Sequence, residues 1–221
     1  FHPDVTAAER AAFDNTAEML AHFSELFGPY PYSRYGGIAT NLPMGAALET
    51  QTIPTYGRGS MSEGTVAHEM AHQWFGNSVA VADFSDLWIS EGFASYATWL
   101  WFERSDPEAY AARVAGTYRA IRSSEVGPPV GLSAEQLFGM RLYGRGPLAL
   151  HALREAAGDD VFFGILRQWS ERYRHGNASV TDFEALVGEL AGAEAAQVLR
   201  AWLRDETPPV LTSLEPEARE A

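Results

Sequence analysis

The chain has 221 residues, 46% of them hydrophobic, 12% aromatic and 20% charged, a composition that excludes a disordered or low-complexity protein and suits an ordinary globular domain. It contains no cysteine, so a disulfide scaffold, a thiolate metal site and a cysteine nucleophile are excluded together, and any metal must be held by His, Asp or Glu. The net charge is −13 and the cationic side chains are sixteen scattered arginines, which argues against nucleic acid as a partner and favours a substrate bearing positive charge.

In chain order, Phe13, Leu20, Phe23 and Phe27 recur at helical spacing and predict a helix from Val5 to Phe27, with Asp4 or Thr6 as N-cap, ended by Gly28-Pro-Tyr-Pro-Tyr32. From Gly36 to Tyr56 the pattern of Ile38, Thr40, Leu42, Leu48, Thr50, Thr52 and Ile53 with two prolines predicts short strands, at least one of them an edge. After a turn at Gly57–Ser60, helices are predicted over Ser62–Phe75 and Leu87–Glu103, separated by a loop from Gly76 to Asp86. Pro107 opens a third helix to about Arg122. A proline-containing loop, Ser123–Gly131, precedes helices near 133–138, 143–157, 159–174, 180–190 and 193–203. The reading is α+β, a small N-terminal mixed sheet followed by a mostly helical body, with residues 1–204 as one domain. Residues 205–221, with Pro208, Pro209, Glu215, Glu217 and Glu220, read as an acidic frayed tail. The longest largely apolar stretch, Phe93 to Phe102, falls short of the ~20 residues of a membrane span, so no span is expected. The sequence opens at Phe1, as a processed or excised piece does; a soluble protein is expected, cytoplasmic or secreted.

The segment that carries chemistry is His68-Glu69-Met70-Ala71-His72. Two histidines four apart on a helix differ by about 40° around the axis and about 6 Å along it, so both imidazoles leave one face and reach one ion. Glu69 stands about 100° from His68, beside that ion without being its ligand. A catalytic zinc takes three protein ligands and keeps a place for water, so one ligand is lacking. Glu91, nineteen positions after His72 on the next predicted helix, supplies a carboxylate. Taken alone, Glu91 also reads as a solvated helix carboxylate; the His-Glu-x-x-His string with a glutamate at one fixed later position arises by chance in roughly one such chain in eight hundred.

These residues, with the surrounding Ala67-His-Glu-Met-Ala-His-Gln-Trp-Phe-Gly76 and Glu91-Gly-Phe-Ala-Ser-Tyr96, resemble the zinc aminopeptidases of the aminopeptidase N type, gluzincins whose pattern is His-Glu-x-x-His, eighteen residues, then Glu. The resemblance runs over nearly the whole chain from about Gly28. It implies a thermolysin-like catalytic domain, a single Zn²⁺ held by His68, His72 and Glu91, and Glu69 as the base that activates water. Family members carry Gly-Ala-Met-Glu-Asn on an edge strand, whose glutamate holds the free α-amino group of the substrate. Here Ala46-Ala-Leu-Glu-Thr50 stands at that place, keeping Glu49 and replacing the first Gly, the Met and the Asn; Ala46, Ala47 and Glu49 are the implied substrate-binding residues. Tyr143-Gly-Arg-Gly-Pro-Leu-Ala-Leu150 matches a family tyrosine at the head of a helix, which assigns Tyr143 as the donor to the oxyanion. Arg145 is left between lining the site and anchoring its loop, His151 reads as a core or interface histidine, and His2, His22 and His175 have no metal-like spacing.

The expected function is hydrolysis of the N-terminal peptide bond of peptides with a free N-terminus. An endopeptidase or other hydrolase on the same zinc, and a non-catalytic zinc-binding interaction module, are the alternatives. The resemblance also implies flanking domains, an N-terminal β-sandwich and often a C-terminal helical domain, that this chain does not contain.

Overall fold

The computed structural model describes residues 1–215; Glu217 and Glu220 of the expected tail lie outside the described residues. The helix predicted over 5–27 is two helices, α1 (Ala7–Ala11) and α2 (Thr16–Phe27). Thr6 caps α1 in a reciprocal box: its hydroxyl accepts from the Glu9 N–H at 3.2 Å, and the Glu9 carboxylate accepts from the Thr6 N–H at 2.9 Å. The break between them frees Phe13 to pack edge-on against Tyr56, with ring centroids 4.9 Å apart, while Met19, Phe23 and Phe27 of α2 face the core. Periodicity does not reveal such a break, because the apolar positions on either side keep nearly the same phase.

The N-terminal sheet is three two-residue strands, β1 (Ile38–Ala39), β2 (Ala47–Leu48) and β3 (Thr55–Tyr56), in the order β1-β3-β2. β1 runs parallel and β2 antiparallel to β3, so the sheet is mixed and β2 is an edge. The chain then enters α3 (Glu63–Ala71), capped by the Ser62 hydroxyl, which accepts from the Thr65 N–H at 3.1 Å. α3 is shorter than the predicted 62–75, with His72 at its C-cap and turns continuing to Phe75. The loop expected over 76–86 contains a strand, β4 (Val79–Val81), paired in parallel with β5 (Gly176–Ala178) in the register Val79↔Gly176. Three-residue strands 97 positions apart leave no readable alternation in either segment.

α4 (Trp88–Glu103) is buried over most of its length, the environment of an apolar helix at the centre of a domain. It packs against α3 on one side and against α6 (Gly146–Ala157) on the other. Gly92 and Gly146 bring α4 and α6 together: a Cβ on Gly92 would lie 2.6 Å from Trp88 Cδ1, and one on Gly146 would lie 3.2 Å from the Gly92 Cα. The Trp88 indole donates to the Gly146 carbonyl at 3.1 Å across that contact. α5 (Pro107–Ser123), α7 (Asp159–Arg172) and α8 (Val180–Arg204) complete the body. The two helices predicted at 180–190 and 193–203 appear as the halves of α8, interrupted at Gly192 where φ is +83°. The helix predicted at 133–138 is a single 3₁₀ turn, Ala134–Gln136, and α6 is preceded by a π-helical turn, Arg141–Arg145.

The expected fraying after Arg204 does not describe residues 205–215. Leu211 is buried with its N–H donating to the Tyr118 hydroxyl at 3.3 Å, and that hydroxyl donates to the Glu215 carboxylate at 2.8 Å. Arg145, fully buried, reaches the end of α8: it donates to the carbonyls of Trp202 and Val126, each at 2.9 Å, and of Asp205 at 2.5 Å. It is thus the anchor of this end of the chain, satisfying helix C-terminal carbonyls that would otherwise be orphaned. Among the described residues, no helix is long and apolar enough to cross a membrane.

Candidate active site

α3 and α4 pack side by side and bring His68, His72 and Glu91 together at the heart of the domain. His68 Nε2 lies 3.2 Å from Glu91 Oε2, His72 Nε2 lies 3.5 Å from the same oxygen, and the two Nε2 atoms are 3.1 Å apart. Four ligands at the usual zinc distances stand about 3.3 Å from one another at the corners of a tetrahedron, so the three atoms already have the spacing of three corners. Among the described residues this is the one group of three such side chains placed to hold an ion.

The orientation of His72 is set by its other nitrogen. Nδ1 is 3.0 Å from the Phe75 carbonyl and 3.1 Å from the Ser90 hydroxyl. A carbonyl accepts only, so Nδ1 carries a proton and Nε2 is the nitrogen turned to the shared centre, the one available to an ion. Gly76 makes this arrangement fit: at φ +123° it has no side chain, and a Cβ there would stand 2.4 Å from Ser90 Oγ and 3.2 Å from His72 Nδ1. Burial pushes the Glu91 carboxyl up, but the bonds from His68 and His72 outweigh it and hold Glu91 well below the carboxylate range. Burial likewise pulls His72 down, and the bond to Glu91 with its charge more than reverses this, whereas for His68 burial prevails and lowers it.

Glu69 is buried beside this cluster, and its Oε2 has no hydrogen-bond partner among the described residues. Burial, reinforced by the charges of Glu49 and Glu91 and offset by His72, raises its carboxyl to about 7, the range of a group that takes and returns a proton near neutrality. Glu49 follows edge strand β2 and is half-buried; its charge acts on His68, Glu69, His72 and Tyr143. Its carbonyl accepts from the Asn77 amide at 2.6 Å and from the Gln73 amide at 3.4 Å. Gln73, fully buried, also accepts from the Thr52 N–H at 2.7 Å and donates to the Glu69 carbonyl at 3.2 Å, stitching the strand to the end of α3. Ala46 is exposed with its carbonyl accepting from the Gly57 N–H at 3.1 Å, and Ala47 pairs with Tyr56.

Tyr143 lies in the π-helical turn, its ring centroid 6.2 Å from that of His68. Burial and the neighbouring Glu91 push its phenol well above the usual value, so it keeps its proton. Both line a cleft of about 400 Å³ whose walls include Thr65, Thr98 and Trp99. Arg145 is not at the cleft. His151 sits elsewhere, with Nδ1 2.9 Å from the Tyr110 hydroxyl and Nε2 3.2 Å from Glu155. Sequence reasoning missed Gln73, Gly76, Asn77 and Ser90. Gln73 and Gly76 stand within the quoted His-Gln-Trp-Phe-Gly string, and a glutamine amid apolar neighbours is the one signal that pointed to a buried hydrogen-bonding role.

A buried helix with a His-Glu-x-x-His string, a carboxylate from the following helix and a small mixed sheet alongside define the zinc metallopeptidase class. Residues 11–202 match the family model described as the peptidase family M1 domain, and the chain belongs to that family. Among curated relatives, the mitochondrial Aminopeptidase 2 of Saccharomyces cerevisiae is 27% identical over 92% of this chain, and the Alanine/arginine aminopeptidase of the same yeast is 25% identical over 90%. Among solved structures, the M1 zinc metallopeptidase of Deinococcus radiodurans is 38% identical over 95% of this chain with a TM-score of 0.86. A mutant of it bound to a Tyr-Ser-Ala substrate is 39% identical over 90% with a TM-score of 0.84. The chain spans about a quarter of the length of those curated relatives (24% and 26%) and just under half of those structures (47% and 45%).

Proposed function

We propose that this chain is the catalytic part of a zinc-dependent aminopeptidase, with His68, His72 and Glu91 holding one Zn²⁺. The observation that carries the reading is the convergence of three lone-pair atoms, spaced 3.1 to 3.5 Å apart, next to a buried Glu69 oxygen that has no partner among the described residues. The donor set of two imidazoles and one carboxylate fits zinc, with a fourth corner left for water. When bound, zinc acidifies a water and polarises the scissile carbonyl.

The remaining steps belong to the chain's own side chains. Glu69 takes the proton of the attacking water and delivers it to the leaving amine, a role for which a carboxyl near 7 is suited. Tyr143, protonated, donates to the oxygen that becomes negative as the carbonyl is attacked. Glu49 accepts from the substrate ammonium and so fixes the first residue in register, with Ala46 and Ala47 offering the strand edge alongside. The substrate is a peptide with a free N-terminus. Flanking domains that add further walls to the cleft belong to the same reading, supported by the fraction of the relatives' length that this chain covers.

The test compares a peptide with its N-acetylated twin on the zinc-loaded protein. Hydrolysis of the free peptide and loss of 10²-fold or more on acetylation are expected, and Glu69→Gln should abolish turnover while retaining zinc. Equal rates on both peptides refute the role of Glu49, and unchanged turnover in Glu69→Gln refutes the enzymatic reading of α3.

A further inference from the structure

The cleft at the candidate metal site opens into a second cavity of about 650 Å³, and the two share Trp99, Phe102 and Arg113. Arg113, on α5, is the one arginine lining either cavity. It is exposed and makes no hydrogen bond or ion pair with any described residue, unlike Arg104, Arg154, Arg172 and Arg204, which all pair with carboxylates. The one acid lining the second cavity, Asp106, serves as the N-cap of α5, accepting from the Ala109 N–H at 2.9 Å. The same cleft is lined by His68, whose Nε2 is 3.2 Å from Glu91 and which feels the charges of Glu91 and Glu49, and the chain as a whole has a net charge of −13. A free carboxylate is repelled everywhere along such a surface except where an unneutralised guanidinium meets it. A cleft of about 400 Å³ is also at the small end for a ligand site, the size of a peptide of a few residues.

Resting on the aminopeptidase reading, we infer that Arg113 takes the C-terminal carboxylate of short peptides and makes di- and tripeptides with a free acid end the favoured substrates. The ammonium is then held by a carboxylate at one end and the carboxylate by a guanidinium at the other, matching the polarity of a zwitterion. Longer peptides run on into the second cavity and place their carboxylate beyond Arg113.

The experiment measures binding by calorimetry to zinc-loaded Glu69→Gln protein, which does not turn over, using a tripeptide as free acid and as C-terminal amide. The acid should bind about tenfold tighter than the amide, as a charge-assisted pair supplies. Arg113→Gln should bring that ratio close to one, and Arg113→Lys should restore part of it. In a hexapeptide pair the ratio should be near one with Arg113 intact. An acid-to-amide ratio near one in the tripeptides, a ratio unchanged by Arg113→Gln, or no binding of either peptide overturns the assignment. A tenfold ratio that responds to Arg113, in a protein whose Glu69-intact form hydrolyses no peptide, refutes the aminopeptidase reading and leaves the carboxylate site standing.

Discussion

Replacing Gly76 with alanine should damage metal binding without touching a ligand. At φ +123° an L-residue is strained, which costs of the order of 1–3 kcal/mol. The new Cβ would also stand 2.4 Å from Ser90 Oγ, a distance real Cβ atoms do not adopt, so Ser90 must turn away. Turning it removes the 3.1 Å contact with His72 Nδ1, and with the Cβ only 3.2 Å from that nitrogen, the imidazole itself is pushed. Loss of an outer partner of a metal-binding histidine lowers affinity about 10- to 100-fold. Gly76→Ala should therefore show that loss of zinc affinity in competition with a chromogenic chelator. About 2 kcal/mol of strain should lower the melting temperature of the metal-free protein by about 4–8 °C. Adding Ser90→Ala removes the clash and leaves the strained φ, so the double variant should recover part of the stability and none of the affinity. Zinc affinity within threefold of wild type in Gly76→Ala would show that His72 is not oriented through Ser90 and the turn at Phe75.

Two further outcomes concern the scaffold. Arg145→Met removes the guanidinium from five carbonyls, those of Trp202, Val126 and Asp205 lying within 2.9 Å of it; at about 1 kcal/mol for each of these three, stability should fall by about 3 kcal/mol and the melting temperature by about 6–12 °C, read by differential scanning calorimetry; a fall under 2 °C contradicts the anchoring role. His22 titrates below the ordinary histidine value because burial, aided by Arg104, disfavours its cation. The unfolded chain therefore binds its proton first, so this contribution is complete above about pH 6.5 and declines as the pH falls through that value toward the folded one. In His22→Phe the melting temperature should fall less between pH 7.5 and 5.5 than in wild type, and parallel slopes would remove His22 from the account.

The triad was legible because a helix converts a spacing of four residues into a shared face, and because α4, apolar nearly all round, had to pack beside α3. What surrounds the triad was not legible, since each support comes from a different stretch of chain. Ser90 acts on a histidine eighteen positions earlier, and Gln73 on backbone groups of Thr52, Glu49 and Glu69. Gly76 is required by the volume of a side chain on another helix, which no periodicity records. The division into a small sheet and a helical body followed from composition and pattern. The parallel pairing of β4 with β5 did not, as a three-residue strand is defined by its partner and not by its own sequence. Arg145 illustrates the same limit: its position beside Tyr143 left it between lining the cleft and anchoring its loop, and only the fold shows its guanidinium serving the far end of α8.

The Gln73 amide, gripping three backbone groups, ties α3 to the segment 49–52 that follows the edge strand. On the proposed reading, the ruler between the point where a chain end is recognised and the point where it is cut is therefore set by two buried or part-buried amides, Gln73 and Asn77, that both hold the Glu49 carbonyl. An enzyme built this way removes its substrate one residue at a time because its measuring distance is rigid, whatever side chain that residue carries.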